Sequence, residues 1–241
     1  MAVTEVQLSV LAQLRERLPE APRLLSLGYP DILADVSRIE DLFGPEVSSQ
    51  LRFRDDGAEI IAWHGLTGEL ERIPESTAFF DSLGISCTVI DIAASRGGER
   101  IVDLNGDLPD DLAGAFDIVL DPGTIEHCFN IGGAMMNIAS SLGAGGFVCH
   151  FAPLSMFNHG FFNLNPTFFH DFFTQNGFEI VLLKGVAGPL LAPRFFDIPP
   201  TGRFQEPPGD ASILVVARRP EIGPLNWPVQ TKYLDNPDLK A

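Results

Sequence analysis

The amino-acid sequence predicts an α/β domain with a doubly wound, mainly parallel sheet and an antiparallel pair of strands at one edge. Apolar runs of strand length alternate with segments of helix length, which is the order expected for right-handed crossovers between parallel strands. The last two apolar runs, residues 178–183 and 212–217, are joined by a Pro-rich stretch without a helical pattern. We therefore expect these two strands to be antiparallel. A chain of 241 residues is expected to form a single domain over residues 1–241.

The N-terminal part of the chain is expected to contain a helix, a strand and a second helix. Apolar residues recur at roughly helical spacing in a leading segment, residues 1–21, which predicts an amphipathic helix. Residues 24–27 are an apolar run that predicts the first buried strand. Asp31 or Asp35 is expected to open the next helix, which runs to Phe43, because Asp favours helix N-termini.

The rest of the chain divides into regular elements and three irregular segments. Residues 45–75 have weak periodicity, and we expect an insertion that forms a hairpin or an irregular cap. A second insertion, rich in proline, spans residues 188–210, and residues 220–241 form a tail without regular structure. The regular elements are predicted, in order, as a helix over 76–83, strands over 87–92, 101–103 and 116–121, a helix over 134–142, a strand over 147–151 and a helix over 167–175.

The composition argues against several classes of partner. A formal net charge of −16 at pH 7 disfavours nucleic acid and anionic membranes, because both attract clustered Lys and Arg. A small molecule is the partner that remains. The sequence has neither an apolar stretch of transmembrane length nor a signal pattern. Cys87, Cys128 and Cys149 each lie in or beside an apolar run, which is typical of buried free thiols, so we expect a cytoplasmic location.

Three acidic residues occur where successive predicted strands end. These residues are Asp91, Asp103 and Asp121, and the carboxyl ends of parallel strands are where ligands bind in open α/β sheets. A carboxylate in the position of Asp91 can accept hydrogen bonds from both hydroxyls of a ribose. Asp103 with Asn105 offers the acceptor and the amide that suit the exocyclic amine and ring nitrogen of adenine.

The loop after the first strand differs from a dinucleotide-binding loop. Gly28 is followed by Tyr29 and Pro30, whereas a pyrophosphate is bound by a Gly-x-Gly-x-x-Gly pattern that lets the backbone approach it. A nucleoside ligand without phosphates fits these residues best. The sequence contains no phosphate-binding loop, nucleophile elbow or zinc-binding helix motif, so no metal site is predicted.

The order of these motifs resembles that of the class I S-adenosylmethionine-dependent methyltransferases, over about residues 23–219. Leu25-Ser26-Leu27-Gly28 resembles the family's first strand and its glycine loop in reduced form, and Val89-Ile90-Asp91 resembles the strand whose acidic end holds the cofactor ribose. Residues 116–121 with Glu126-His127 resemble the fourth strand and the loop after it. The resemblance implies a Rossmann-like fold and S-adenosylmethionine as cofactor. It implies cofactor contacts from Gly28, Tyr29, Asp91, Asp103, Leu104, Asn105, Asp121, Pro122 and Gly123.

The residues after the central strand are the candidates for the acceptor side. A hydroxyl acceptor benefits from a general base within hydrogen-bond distance, and His127 is the first candidate and His159 the second. For each of them the alternative is a histidine that only fixes a loop. Glu126, Asn158 and Asn163 are the candidate substrate contacts, because a few polar groups beside aromatic residues are typical of a small-molecule pocket.

Methyl transfer from S-adenosylmethionine to a small-molecule acceptor is the leading functional interpretation, with alignment of cofactor and acceptor as the main source of catalysis. The reduced glycine loop favours an alternative, a catalytically inactive methyltransferase-like binding or assembly protein. A nicotinamide-dependent oxidoreductase is a third interpretation, and the missing glycine pattern weakens it. The Pro-rich insertion at 188–210 is expected to be either a lid or a contact in a homodimer.

Overall fold

The structure is a computed structural model that describes residues 1–234. Its strands, within these residues, are β1 (Ala2–Thr4), β2 (Arg23–Leu27), β3 (Asp31–Leu33), β4 (Ser86–Asp91), β5 (Arg100–Ile101), β6 (Phe116–Asp121), β7 (Leu142–Pro153), β8 (Glu179–Ala187), β9 (Arg194–Phe196) and β10 (Ser212–Arg218). Its α-helices are α1 (Glu5–Leu14), α2 (Val36–Phe43), α3 (Pro45–Ser49), α4 (Gly57–Trp63), α5 (Ser76–Ser82), α6 (Ile131–Ser141), α7 (Pro166–Gln175) and α8 (Thr231–Leu234).

Eight of these strands form one mixed sheet in the order β5-β4-β2-β6-β7-β10-β8-β9. The neighbours from β5 to β7 pair in parallel, and β10 lies antiparallel between β7 and β8. The predicted antiparallel pairing of the last two predicted strands is confirmed. The edge itself is formed by β9, a short strand inside the Pro-rich segment that the sequence did not predict.

The sheet is covered by helices on both faces, and this arrangement follows from the two-residue period of the strands. Leu25 and Val119 belong to one apolar cluster, which includes residues of α6 and α7. Their sequence neighbours, Leu24 and Ile118, belong to the cluster on the opposite face with α1, α2 and α5. Strands buried on both faces have continuous apolar sequences, which explains why the central strands were predictable.

The leading segment begins with a strand that the sequence did not predict. Residues 2–4 form β1, which pairs in parallel with β3, and the expected helix starts only at Glu5. Thr4 and Gln7 cap this helix reciprocally, since the Thr4 side chain accepts from the Val6 amide and Gln7 Oε1 accepts from the Thr4 amide. The prediction that a helix covers the whole segment is therefore wrong at its N-terminus.

Asp31 begins a strand and does not open a helix. Arg96 donates two hydrogen bonds to its carboxylate, at 3.1 and 3.0 Å, and the residue is buried. The helix opens at Asp35 instead, which is its N-cap residue. The partner of Asp31 lies far along the chain, so the sequence pattern could not distinguish a buried ion pair from a cap.

The insertion at 45–75 is helical and has a small core of its own. It contains α3 and α4 in place of the expected hairpin or irregular cap. Pro45 occupies the first turn of α3, where its missing amide proton is not needed. The core of the insertion contains the buried residues Leu33, Ile60, Ile61, Leu66, Leu70 and Ile73.

The tail contains more structure than the sequence predicted. Residues 231–234 form a short helix, and the Thr231 amide donates to Asp171 of α7 at 2.8 Å. The Asn226 amide donates to Asn176 Oδ1 at 2.6 Å. The end of the predicted irregular tail, residues 235–241, lies outside the described residues. None of the described helices combines the length and apolar character needed to cross a membrane.

Arg219 holds the end of β10 with a buried guanidinium group. Its Nη1 donates to the carbonyl oxygens of Ala139 (2.7 Å) and Leu142 (2.9 Å), and its Nη2 donates to that of Gly223 (3.1 Å). One side chain therefore joins α6, the start of β7 and the tail.

Replacing Arg219 with Met is expected to lower the free energy of unfolding by about 3 kcal/mol, because buried carbonyl groups lose a charged donor. Urea denaturation followed by circular dichroism measures this change. Arg218→Met is the matched control, since Arg218 forms a partly exposed pair with Glu179 at 3.2 Å. The control should lose less than about 1 kcal/mol. Equal losses in the two variants would contradict the importance of the buried contacts.

Candidate functional site

A buried hydrogen bond between Asp121 and His150 joins the carboxyl ends of β6 and β7. The two residues are register partners, and both side chains are 0% exposed. His150 Nδ1 lies 2.7 Å from Asp121 Oδ2, and the imidazole contacts the rings of Phe169 and Phe173. The second carboxylate oxygen of Asp121 accepts from the Thr124 amide at 2.8 Å. The pair thereby fixes the start of the loop that follows β6.

The loop after β6 turns sharply at Gly123. Its φ is +99°, and a Cβ at this position would lie 3.0 Å from Glu126 Oε1, so the turn requires glycine. The Thr124 hydroxyl donates to the Leu27 carbonyl at the end of β2 (2.6 Å). A single 3₁₀ turn, Ile125–His127, follows. These contacts fix the turn that carries Glu126.

Glu126 is a buried carboxyl group with no hydrogen-bond partner among the described residues. Its side chain is 0% exposed, and neither carboxyl oxygen is hydrogen-bonded. Burial, and after it the negative charge of Asp121, raises the pKa of Glu126 to about 8. Buried carboxyl groups in folded proteins are normally hydrogen-bonded or paired, so this residue marks a candidate functional position.

Two histidine side chains lie beside Glu126. The Nε2 atoms of His127 and His159 are 3.9 and 3.5 Å from Glu126 Oε1, and the two side chains are 45% and 49% exposed. The centroids of the two imidazole rings are 5.4 Å apart. Burial, and after it the proximity of His159, lowers the pKa of His127. Three of the five residues predicted for the acceptor side are thus brought together in one cluster, which we call the Glu–His–His cluster.

The loop between β7 and α7 brings His159 into this cluster. The Phe161 amide donates to the Glu126 carbonyl at 2.8 Å. Gly160 allows the close approach, because a Cβ there would lie only 2.8 Å from the same carbonyl oxygen. Asn163 Oδ1 accepts from the Met156 amide at 2.8 Å and so closes the loop.

A cavity of about 620 Å³ is lined by all three residues of the Glu–His–His cluster. Its size and mainly apolar walls suit a small-molecule ligand. The predicted substrate contacts Asn158 and Asn163 are not among its lining residues. Asn158 is exposed and has a φ of +63°, and the side chain of Asn163 is bound to the Met156 amide. The apolar walls include Val6, Trp63, Phe151, Met156, Val186 and Leu190.

The predicted nucleoside-binding edge is formed at the ends of β2 and β4. Gly28 follows β2 with a φ of +82°, and a Cβ at this residue would lie 3.4 Å from Asp91 Oδ2. Asp103 is exposed, and its Oδ1 accepts from the amide and the side chain of Asn105, at 2.9 and 2.7 Å. Gly28 and Asp91 therefore lie at the carboxyl ends of β2 and β4, as expected. The predicted strand over 101–103 is shorter in the structure, so Asp103 lies two residues beyond the end of β5.

Three of the predicted cofactor contacts have side chains that are committed to the scaffold. The Tyr29 hydroxyl donates to Glu75 Oε1 at 2.8 Å, Leu104 is part of the apolar core, and Asp121 is held by His150. All three predicted residues are buried. Their side chains support the loops around the site, whereas Pro122 and Gly123 line the cavity itself.

Met1 packs against Gly28, and a buried ion pair lies a few residues further along the chain; no sequence pattern predicted either feature. Met1 Cγ lies 2.3 Å from the position that a Gly28 Cβ would take. The carboxylate of Asp31, which is bound by Arg96, also lies 3.4 Å from His64 Nε2. The Met1 side chain therefore occupies the space beside Gly28 at the end of β2.

No family model and no curated protein matches the sequence, but solved structures resemble it. The CMeT domain of the citrinin polyketide synthase is 15% identical, with a TM-score of 0.50 over 90% of this chain and 52% of that one. A 1,6-didemethyltoxoflavin-N1-methyltransferase from Burkholderia thailandensis is 14% identical, with a TM-score of 0.48 over 89% of this chain and 77% of that one. An S-adenosylmethionine-dependent methyltransferase from Archaeoglobus fulgidus is 12% identical, with a TM-score of 0.48 over 89% and 93%.

The chain has the class I methyltransferase fold. The likeness to the citrinin synthase domain carries this conclusion, together with the parallel strands and the antiparallel strand between β7 and β8. This chain spans about half the length of that domain's chain. The predicted fold class is therefore confirmed, and the Glu–His–His cluster lies at the carboxyl edge of a methyltransferase-type sheet.

His150→Leu is expected to lower the free energy of unfolding by about 3 kcal/mol, because the buried Asp121 carboxylate loses a partner. His170→Leu is the matched control. His170 Nδ1 lies 2.9 Å from Asp171 Oδ1, but its side chain is partly exposed, so the loss should be under about 1 kcal/mol. Denaturant titration of both variants measures the difference. If His150→Leu were as stable as the wild type, the Asp121–His150 hydrogen bond would not be what stabilises the loop after β6.

Proposed function

We propose that this protein transfers a methyl group from S-adenosylmethionine to a small-molecule acceptor. The observation that carries the proposal is the adjacency of two different sites on one methyltransferase fold. A polar edge with Gly28 and Asp91 suits a nucleoside, and an apolar cavity with a polar cluster begins at Pro122 and Gly123. Methyl transfer needs this pairing, since alignment of two reactants supplies much of the rate enhancement.

The residues at the nucleoside edge fit the cofactor. Asp91 presents a partly exposed carboxylate at the end of β4, where a ribose diol can donate to it. Ile92 and Ile101 expose large apolar surfaces, at 66% and 58%, next to this carboxylate and to Asp103. A flat heterocycle such as adenine would cover such surfaces. When bound, S-adenosylmethionine supplies an electrophilic methyl group on a sulfonium centre.

The cavity supports an apolar acceptor that carries an ionisable group. Its walls are mainly apolar, and its ionisable lining residues include all three members of the Glu–His–His cluster together with His64 and Asp210. His127 is the first candidate to take up a proton from the acceptor, because its lowered pKa keeps the imidazole neutral and able to accept a proton near neutral pH. His159 is the second.

Calorimetry with S-adenosylmethionine and S-adenosylhomocysteine tests the cofactor assignment. Saturable binding at one site is expected for the wild type, and Asp91→Ala should weaken it about ten- to a hundredfold through loss of a charged acceptor. Asp91 Oδ1 accepts from the Ala93 amide at 3.2 Å, and Asp91→Asn keeps an oxygen that can accept this hydrogen bond. This variant therefore distinguishes the loss of the negative charge from a change in the loop conformation. Asp107→Ala, at an exposed residue, is the control and should bind as the wild type does.

A second candidate function is a methyltransferase-like binding or assembly protein without catalysis. The contact between Met1 and Gly28 favours it, since the Met1 side chain lies where the cofactor approaches the glycine. The proposed enzyme requires Met1 to move when the cofactor binds. Absence of measurable binding of either nucleoside to the wild type would support this second function and overturn the first.

Replacing His127 with Gln is expected to lower turnover by about 10²–10⁴-fold while leaving S-adenosylmethionine affinity unchanged. Gln retains size and hydrogen bonding but cannot take up a proton. Labelled methyl transfer to fractionated small molecules would first identify the acceptor, and release of S-adenosylhomocysteine would then measure turnover. His64→Gln is the control, since His64 borders the same cavity outside the cluster. Full activity of His127→Gln and His159→Gln, singly and combined, would exclude histidine base catalysis.

A further inference from the structure

The Glu–His–His cluster has the composition and spacing of a metal site. Each of its three side chains offers one ligand atom, and these atoms all lie within 4.8 Å of one another. One carboxylate and two imidazoles form the donor set of zinc sites that keep a position open for another ligand. The same set also suits other divalent transition-metal ions, such as Fe²⁺.

We propose that Glu126, His127 and His159 bind a divalent transition-metal ion, with Zn²⁺ as the representative of the class. Ligand atoms about 2.0–2.2 Å from a tetrahedral ion lie roughly 3.3 Å from each other. The Glu126 to His159 separation of 3.5 Å is already close to this value, and the Glu126 to His127 separation of 3.9 Å requires a shift of a few tenths of an ångström. The ligand atoms of the two imidazoles lie within 4.8 Å of each other, and side-chain rotation of these exposed rings can bring all three atoms to ligand distance.

The unpartnered carboxyl group of Glu126 is an independent observation that points to a cation. Both of its oxygens are buried without a hydrogen bond, although polar groups at such positions are normally satisfied. The opposing loop is fixed against it by the Phe161 amide and by the close approach of Gly160. A cation between the carboxylate and the two imidazoles would satisfy all three groups with little change of the backbone.

The donor set selects against the common oxygen-binding ions. Mg²⁺ and Ca²⁺ favour carboxylates, carbonyls and water, whereas imidazole favours Zn²⁺ and its neighbours in the first transition series. The sequence predicted no metal site, because His159 is far from His127 along the chain and no short motif joins them. Folding of the loop after β7 brings the third ligand into place.

The position of the site connects the ion with the cavity, and this part of the inference rests on the proposed function. All three ligands line the cavity, so an open coordination position would face a bound acceptor. An acceptor with an oxygen or nitrogen donor is therefore the class that fits. In the ion-loaded protein His127 and His159 are ligands, and the role of proton acceptor proposed for His127 applies to the ion-free protein only.

Titration of the untagged, chelator-treated full chain with Zn²⁺ against a chromophoric chelator tests the site. One equivalent is expected to bind, and millimolar Mg²⁺ should not compete. His127→Ala combined with His159→Ala should weaken binding at least about a hundredfold, since even outer partners of metal ligands account for ten- to a hundredfold. Glu126→Gln, which preserves the buried volume, should weaken it at least about tenfold. Circular dichroism verifies that each variant is folded.

His170→Ala is the matched control for the zinc titration. His170 also lies beside a carboxylate, that of Asp171 at 2.9 Å, but it is not part of the three-residue group. Its replacement should leave Zn²⁺ affinity unchanged. Co²⁺ adds a second readout, because the wild type should show the visible absorption of a low-symmetry site and the double variant should not. Binding of less than one equivalent, or equal affinity in the wild type and the double variant, would overturn the proposal.

Calorimetry with S-adenosylmethionine on the chelated and the Zn²⁺-loaded protein separates this inference from the proposed function. Zinc binding through the cluster without cofactor binding would support the metal site and overturn the proposed methyl transfer. Cofactor binding without zinc binding would retain methyl transfer and overturn the metal site.

Discussion

The site depends on one buried interaction, the hydrogen bond between Asp121 and His150. It connects the carboxyl ends of two neighbouring parallel strands, and the same aspartate accepts from the first amide of the following turn. This turn carries Glu126, which lines the cavity. The negative charge of Asp121 also contributes to the raised pKa of Glu126. A structural pair at the sheet edge therefore helps to position the central residue of the site, and its charge adds to the effect of burial on the pKa of that residue.

Most of the fold could be predicted from the sequence because the central strands are apolar on both faces. Residues 116–121 are an example, because Ile118 and Val119 pack in the apolar clusters on opposite faces of the sheet. Both faces of this strand are therefore apolar, and its sequence is the nearly continuous apolar run that predicts a buried strand. The failures occurred where a distant partner decides the local structure. Asp31 has the composition of a helix cap, but its ion pair with Arg96 places it in a strand. The helices of the insertion at 45–75 depend likewise on a small separate core.

The site was predictable in its parts but not in its assembly. Glu126 and His127 were indicated by their places after the central predicted strand, and His159 by the unusual run of residues 158–161. Their proximity depends on Gly160 and on one backbone hydrogen bond. The importance of His150 was missed because the residue lies within an apolar run. The signal that could have revealed it is the presence of an ionisable residue in a strand predicted to be buried. Asn158 and Asn163 resemble ligand-binding residues in composition, but neither lines the cavity, and Asn163 accepts from the Met156 amide.

The position of β10 has a consequence for folding of the chain during its synthesis. This strand fills the gap between β7 and β8 although it follows both in sequence. Until residues 212–218 leave the ribosome, β7 has a free edge, and a free apolar strand edge is a template for pairing with other chains. The interval between synthesis of β8 and of β10 includes the whole Pro-rich insertion. A nascent chain paused within that insertion therefore exposes a strand edge that favours aggregation, which is the kind of species that chaperones bind.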